Sequence, residues 1–249
     1  MRCSQDRPLR EAAIVGSERV VVVGAAGFGR ECLDVLEAMA ASGADIDVLG
    51  VVDDAPSTAN LERLMARQVP YLGTVDDWLN SGSSAGVSYV LGIGSPPIRR
   101  RLVARLEDLG YQAFTAVHPS ATFGANTTLE RGVVVCSGAV LSNNVRLGRH
   151  VHINPNATVG HDAVLKDFVS VNPGAIVSGE VLLEKEVLVG AGATVLQGLE
   201  VGRGATVGAA ALVTKSVPPG VVVKGVPGVW PGAVRIEGKR DTDENGPRA

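Results

Sequence analysis

Cysteine is scarce in this chain, with only Cys3, Cys32 and Cys136, an odd number that contains no CxxC pair. That excludes a disulfide framework and a zinc knuckle, and it fits a reducing compartment. Aromatic residues make up only 4%, so rings cannot fill the interior. Val, Leu, Ile and Ala must do so, and 31 glycines let backbones approach closely. Neither sign of charge dominates: 23 Lys and Arg against 26 Asp and Glu leave a net charge of −3. There is no general pull toward nucleic acid or an anionic membrane, and neither is expected as a partner. No run of about 18 apolar residues occurs, and Met1 to Arg19 has no apolar core of signal-peptide length. These absences predict a soluble, cytoplasmic protein. What is present is 45% hydrophobic content over 249 residues, enough for one large domain or two modest ones.

From Arg19 to about Ala116, short apolar runs alternate with helical segments. Val20 to Val23 is a continuous β-branched run, followed by Gly24-Ala25-Ala26-Gly27-Phe28-Gly29, after which Leu33, Leu36 and Met39 recur at helical spacing. A second run, Val48 to Val52, ends in Asp53-Asp54. A third, Val87 to Ile93, ends at Gly94 ahead of a helix carrying Ile98, Leu102, Leu106 and Leu109. Thr74 with Asp77 forms a capping-box signal for a short helix through Trp78. The alternation predicts a small parallel sheet with helices on its faces. Glycines after a strand let backbone N–H groups reach a phosphate at a helix start. The order Gly-x-x-Gly-x-Gly differs from the dinucleotide fingerprint and the segment is short for two mononucleotide halves, so one nucleotide fits better than two.

From Phe123 onward the period becomes six. Every sixth residue gives Phe123, Leu129, Val135, Leu141, Leu147, Ile153, Val159, Leu165, Val171, Val177, Leu183, Val189, Val195, Val201, Val207 and Val213, with no polar member. Four residues after each lies a mostly small set that includes Ala139, Ala157, Ala163, Ala175, Ala193, Ala205 and Ala211. A period of six fits neither an α-helix nor one long strand, but suits a chain that turns after each short strand and stacks on itself. Three hexads to a coil give a little over five coils, or roughly 25 Å of stack. Handedness does not follow from these residues, since general chirality favours right-handed crossovers.

Those repeats, of the form [LIV]-G-x-x-x-x, resemble the left-handed β-helix of the hexapeptide acyltransferases. The order Val-Val-Gly-Ala-Ala-Gly-Phe-Gly-Arg-Glu, Val-Val-Asp-Asp, Ile-Gly before a basic helix, His118-Pro119-Ser120-Ala121, then Gly160-His161-Asp162 narrows the likeness. It resembles the sialic acid O-acetyltransferase and nucleotide-aminosugar N-acetyltransferase family over residues 19–228. The resemblance implies a mixed α/β plus all-β chain. A small Rossmann-like parallel-sheet domain, residues 19–116, would hold a nucleotide-linked aminosugar; a left-handed parallel β-helix, residues 117–228, would hold acetyl-CoA. A C-terminal tail, residues 229–249, is charged from Glu237 on and expected to be disordered. The family is homotrimeric, with sites between neighbouring β-helices, and uses no metal.

Acetyl transfer from a thioester needs a base for the attacking group, and an imidazole with an ordinary pKa of about 6.5 is suited to it. From spacing alone His161 reads as a solvated turn histidine; the resemblance makes it the general base and Asp162 the group that orients it. His150 and His152 read as exposed surface, and His118, beside Pro119, as structural. By resemblance Gly24, Ala26, Gly27, Phe28 and Gly29 line the sugar nucleotide, Asp53 and Asp54 approach the nucleoside, and Gly94 allows close passage. Their other reading is a tight turn and a strand end. Gly179, Ala191 and Ala209 match positions whose backbone meets acetyl-CoA, or else simply pack the corners. Ser170 stands where family members carry a second histidine near the acetyl group, and Phe28 where many carry His. Three functions compete with N-acetylation: O-acetylation of a sugar such as sialic acid, a γ-type carbonic anhydrase with three zinc-bound histidines, and a non-enzymatic sugar-nucleotide sensor.

Overall fold

A computed structural model describes residues 17–82 and 84–232. Cys3, the leader-free reading of the N-terminus up to residue 16, and the charged tail from Glu237 lie outside the described residues. Three parallel strands, β1 (Glu18–Val23), β2 (Ile46–Val52) and β3 (Ser88–Leu91), pair in the order β2-β1-β3. The central strand is buried on both faces, which is why it reads as an unbroken Val run. Successive side chains alternate. Val20 and Val22 pack with Cys32, Leu33 and Leu36 of α1 (Gly27–Ala41), whereas Val21 and Val23 join Tyr89, Leu91, Val103 and Leu106 on the other face.

A further helix, α2 (Thr58–Ala66), went unread in the sequence although Ser57 caps it by accepting from the Asn60 N–H. In α3 (Val75–Asn80) both halves of the expected capping box are made between Thr74 and Asp77. The fourth helix, α4 (Pro96–Asp108), departs from its expected stripe: Ile98 and Leu109 are exposed, and the buried face is Arg99, Val103 and Leu106.

The hexads form eighteen two-residue strands from Ala116–Val117 to Val222–Val223, shared seven, six and five among three parallel sheets. All sixteen residues of the period-six register end a strand. Ladder partners within the hexads lie eighteen residues apart, as in His152 with Ser170 and Val159 with Val177, because three hexads close one coil; the last strand pairs sixteen residues away, Val207 with Val223. This parallel solenoid accords with a left-handed β-helix and has about six coils rather than a little over five, since Ala116–Val117 extends the register at one end and Val222–Val223, outside the register, adds a strand at the other. Large inward residues fill the prism and alanines fit its corners, nearly all of them fully buried. Complete burial of each Val or Leu contributes about 1.5–3 kcal/mol, so the repeat supplies its own core.

The small sheet docks on the seven-stranded face of the coil. There Ala116, Val134 and Cys136 join the α1 cluster and Phe168 joins the α4 cluster. The outward residues His152 and Ser170 are covered as a result.

Candidate active site

His161 and Asp162 form the turn between strand Thr158–Val159 of the six-stranded sheet and strand Val164–Leu165 of the five-stranded sheet. His161 Nδ1 lies 2.8 Å from Asp162 Oδ2. A carboxylate only accepts, so Nδ1 carries the proton and Nε2 presents a lone pair. Both side chains are about half exposed, leaving the ring open to a substrate. Asn144 Nδ2 donates to the other Asp162 oxygen at 2.8 Å. That bond, and then the one from His161, hold the Asp162 carboxyl below the usual carboxylate range. Room for the ring comes from Gly179 one coil along: a Cβ there would fall 2.5 Å from His161 Nε2.

The acetyl-CoA candidates do not all share that corner. Gly179 does, whereas Ala191 and Ala209 are exposed in consecutive turns between the seven- and six-stranded sheets, with the Ala210 N–H donating to the Ala191 carbonyl. Gly179 and the two alanines therefore border opposite edges of the six-stranded face. Its outward residues, Thr122, Val140, Thr158, Ile176, Thr194 and Leu212, include no charge.

At the carboxyl ends of the small sheet a cleft of about 390 Å³ is lined by Gly24, Asp53, Asp54, Ile93, Ile98, Arg101, Leu102 and Arg105 among others. It brings together Gly24, Asp53 and Asp54 from the expected set. Asp53 is already engaged, its two oxygens accepting from the Ala25 and Ala55 N–H groups; Asp54 accepts from the Val75 N–H through one oxygen. Ala26 and Gly27 are exposed at the start of α1, which has no side-chain cap. Its first amides are thus open to an anion. Gly29 is instead a packing residue, because a Cβ would strike the Gly24 carbonyl at 1.8 Å. Gly94 is not among the cleft residues; its carbonyl accepts from Arg99. Arg101 and Arg105 were not singled out in the sequence, although the run Arg99-Arg100-Arg101 marks a basic helix. Arg105 pairs with Asp76.

The junction between small domain and coil holds the remaining candidates. Phe28 is half-buried, with its ring centroid 4.5 Å from that of His152. Ser170 is buried and accepts from Arg99, whose guanidinium also donates to the Ile93, Gly94, Phe168 and Val169 carbonyls. It stands on the seven-stranded face, away from the His161 corner. His150 and His152 are fully buried, not surface residues, because the docked domain covers their outward positions. Burial, reinforced by the charges of Arg149 and Arg99, pushes His150 down to about 3 against the opposing pull of Asp167, and burial depresses His152 well below its ordinary value. Neither reaches His161, so the three imidazoles share no site. Among the described residues no three His, Cys, Asp or Glu side chains converge as a metal site would. His118 has the structural place expected of it, its Nδ1 accepting from the Ser120 N–H at 3.1 Å. No described helix is long and apolar enough to cross a membrane.

Comparison with known proteins gives the following. Residues 19–106 match the PglD N-terminal domain family, and residues 121–149 and 181–215 match the hexapeptide repeat of succinyl-transferase. No curated protein matches the sequence. Among solved structures, the chain is 32% identical to the acetyltransferase domain of PglB from Neisseria gonorrhoeae in complex with acetyl coenzyme A, with a TM-score of 0.75, covering 86% of this chain and 100% of that one. It is 27% identical to a histidine-to-asparagine mutant of perosamine N-acetyltransferase from Caulobacter crescentus in complex with CoA and GDP-perosamine, with a TM-score of 0.75 and 89% and 99% of the chains covered. It is 26% identical to WeeI from Acinetobacter baumannii, with a TM-score of 0.75 and 86% and 100% covered.

Proposed function

Because this chain belongs to the nucleotide-aminosugar N-acetyltransferase family of hexapeptide-repeat acyltransferases, we propose that it transfers acetyl from acetyl-CoA to an amino group of a nucleotide-linked amino-deoxysugar. The observation that carries the reaction is the His161 ring, its Nδ1 committed to Asp162 and its Nε2 free. Nε2 takes a proton from the amine as nitrogen attacks the thioester carbonyl. The tetrahedral intermediate collapses, the C–S bond breaks, and the proton passes from Nε2 to the departing thiolate. No covalent enzyme intermediate is needed.

Residues 19–116 hold the sugar nucleotide in this reading, and residues 117–228 the acetyl donor. The cleft supports the first assignment, since an apolar floor between carboxylates and arginines suits a base, ribose hydroxyls and a diphosphate together. Ala26, Gly27 and Phe28 approach the phosphate end through the open start of α1. Gly179, Ala191 and Ala209 let the pantetheine arm lie close to the coil. A homotrimer follows in the same reading: the uncharged six-stranded face packs on a neighbouring copy, so that His161 sits at the seam where thioester and acceptor meet. The buried free thiols Cys32 and Cys136, and a donor made inside cells, support a cytoplasmic location.

The test is CoA release across a panel of UDP- and GDP-linked aminosugars and free sialic acid, with wild type and His161→Asn. Turnover on one nucleotide aminosugar that disappears in the variant, at unchanged melting temperature, is expected. Full turnover in His161→Asn rejects the base, and turnover on sialic acid alone replaces N- with O-acetylation.

A further inference from the structure

Asp162 sits in a column of turn residues whose other members the catalytic reading does not use. Asn126, Asn144 and Asp162 are eighteen residues apart, at the same corner of three consecutive coils, with φ of 60°, 59° and 61°. This left-handed region suits Asn and Asp among non-glycine residues. One shared backbone conformation points the three side chains along one line. Asn126 Nδ2 donates to Asn144 Oδ1 at 3.2 Å, and Asn144 Nδ2 donates to Asp162 Oδ1 at 2.8 Å. The direction of the chain is fixed from its lower end. A carboxylate offers no proton, so Asn144 must turn its NH₂ toward Asp162 and its carbonyl oxygen toward Asn126.

Resting on the reading of His161 as the base, we propose that Asn144 is a positioning residue: its amide holds the Asp162 carboxylate in the rotamer that keeps the His161 proton on Nδ1 and the Nε2 lone pair toward the substrate. The Asp162 carboxylate needs such help. It is a turn side chain about half open to water, beside an imidazole equally open, and an exposed pair of neighbours has little to restrict its rotamers. Two bonds, one to each oxygen, leave the carboxylate a single orientation. The same amide favours the ionised form of Asp162, the only form that can accept from Nδ1–H through either oxygen. A requirement follows for the sequence: the residue one coil before the acid must be a donor that tolerates a left-handed backbone, and Asn meets both conditions.

The test is Asn144→Gly, since glycine adopts φ near +59° without strain and the coil should melt as the wild type does. Asn144→Asp, similar in size and equally tolerant of that backbone but without a donor when ionised, is the second variant. Two quantities are read in each: the ¹⁵N NMR tautomer of the His161 ring without substrate, and the steady-state kinetics. We expect the ring to shift from Nδ1–H toward a mixture with Nε2–H, and kcat to fall on the order of tenfold while KM for acetyl-CoA stays put. A wild-type tautomer with wild-type kcat in both variants overturns the positioning role. If His161→Asn is inactive while Asn144→Gly is unaltered, only Asn144 loses its assignment; if His161→Asn is itself active, the base reading has failed first.

Discussion

The imidazole of His161 rests on the bare Cα of Gly179, so closely that a methyl group there would lie 2.5 Å from Nε2 and 2.6 Å from Cε1. The obstructing atoms belong to a half-exposed side chain that can swing away, and Gly179 is not in the left-handed region. Gly179→Ala should therefore displace the ring at little cost to the coil. Its melting temperature is expected within about 2 °C of wild type, and kcat down on the order of a hundredfold, as for a reacting group misplaced by about 1 Å. A large thermal shift with kcat retained would contradict this account.

Arg101 is exposed and lines the same cleft as Asp54. If the cleft takes a nucleoside diphosphate, Arg101→Ala removes one charge-assisted bond worth about 1.5 kcal/mol. KM for the sugar nucleotide should then rise roughly tenfold with kcat and KM for acetyl-CoA unchanged. Isothermal titration with the nucleoside diphosphate alone reads the same loss without turnover.

Arg99 is fully buried, has no carboxylate partner among the described residues and ties four carbonyls and one hydroxyl across the junction. Burial lowers its pKa, a sign of a charge held at a cost. Removing it strands acceptors on both sides. Arg99→Ala is expected to destabilise the chain by about 3 kcal/mol, seen as a lower urea midpoint. Ser170→Ala loses one bond of that set, about 1 kcal/mol, and should leave KM for acetyl-CoA unaltered because its hydroxyl faces Arg99. A raised KM would place Ser170 at the acyl donor instead.

Acid should loosen the same junction. His150 titrates at about 3 in the folded chain and His152 is shifted the same way, whereas an unfolded imidazole takes its proton near pH 6.5. Between those values the unfolded chain binds more protons, so stability present above pH 6.5 is lost as pH falls toward 3. The slope is about 1.4 kcal/mol per pH unit for each imidazole. Thermal unfolding from pH 7 to pH 4 should show it, and His150→Gln should remove one proton's share of the slope.

If copies pack through the six-stranded face, a charge at its centre must be desolvated. Ile176, outward and 44% exposed, is the position to test. Ile176→Glu is expected to yield monomers in analytical ultracentrifugation, with His161 chemically intact and turnover lost.

Periodicity in the sequence determined both architectures, whereas His161 became the catalytic candidate only through the family resemblance. A period of six makes the chain turn after each short strand so that an inward Val or Leu meets its copy eighteen residues later, and the β-branched Val20–Val23 run followed by glycines reads as a strand; the hand of the coil came only with the family resemblance. His161-Asp162 was legible as a pair because the two are adjacent and their bond is local. What tertiary structure alone decided is everything that depends on one element covering another. His150 and His152 occupy outward coil positions, which a repeat pattern reads as solvent. They are buried because a separate domain, built from residues far away in the chain, lies on them. Ser170 meets Arg99 across 71 residues for the same reason. Local spacing encodes which way a side chain points from its own backbone; whether water or protein meets it there is set by packing between elements.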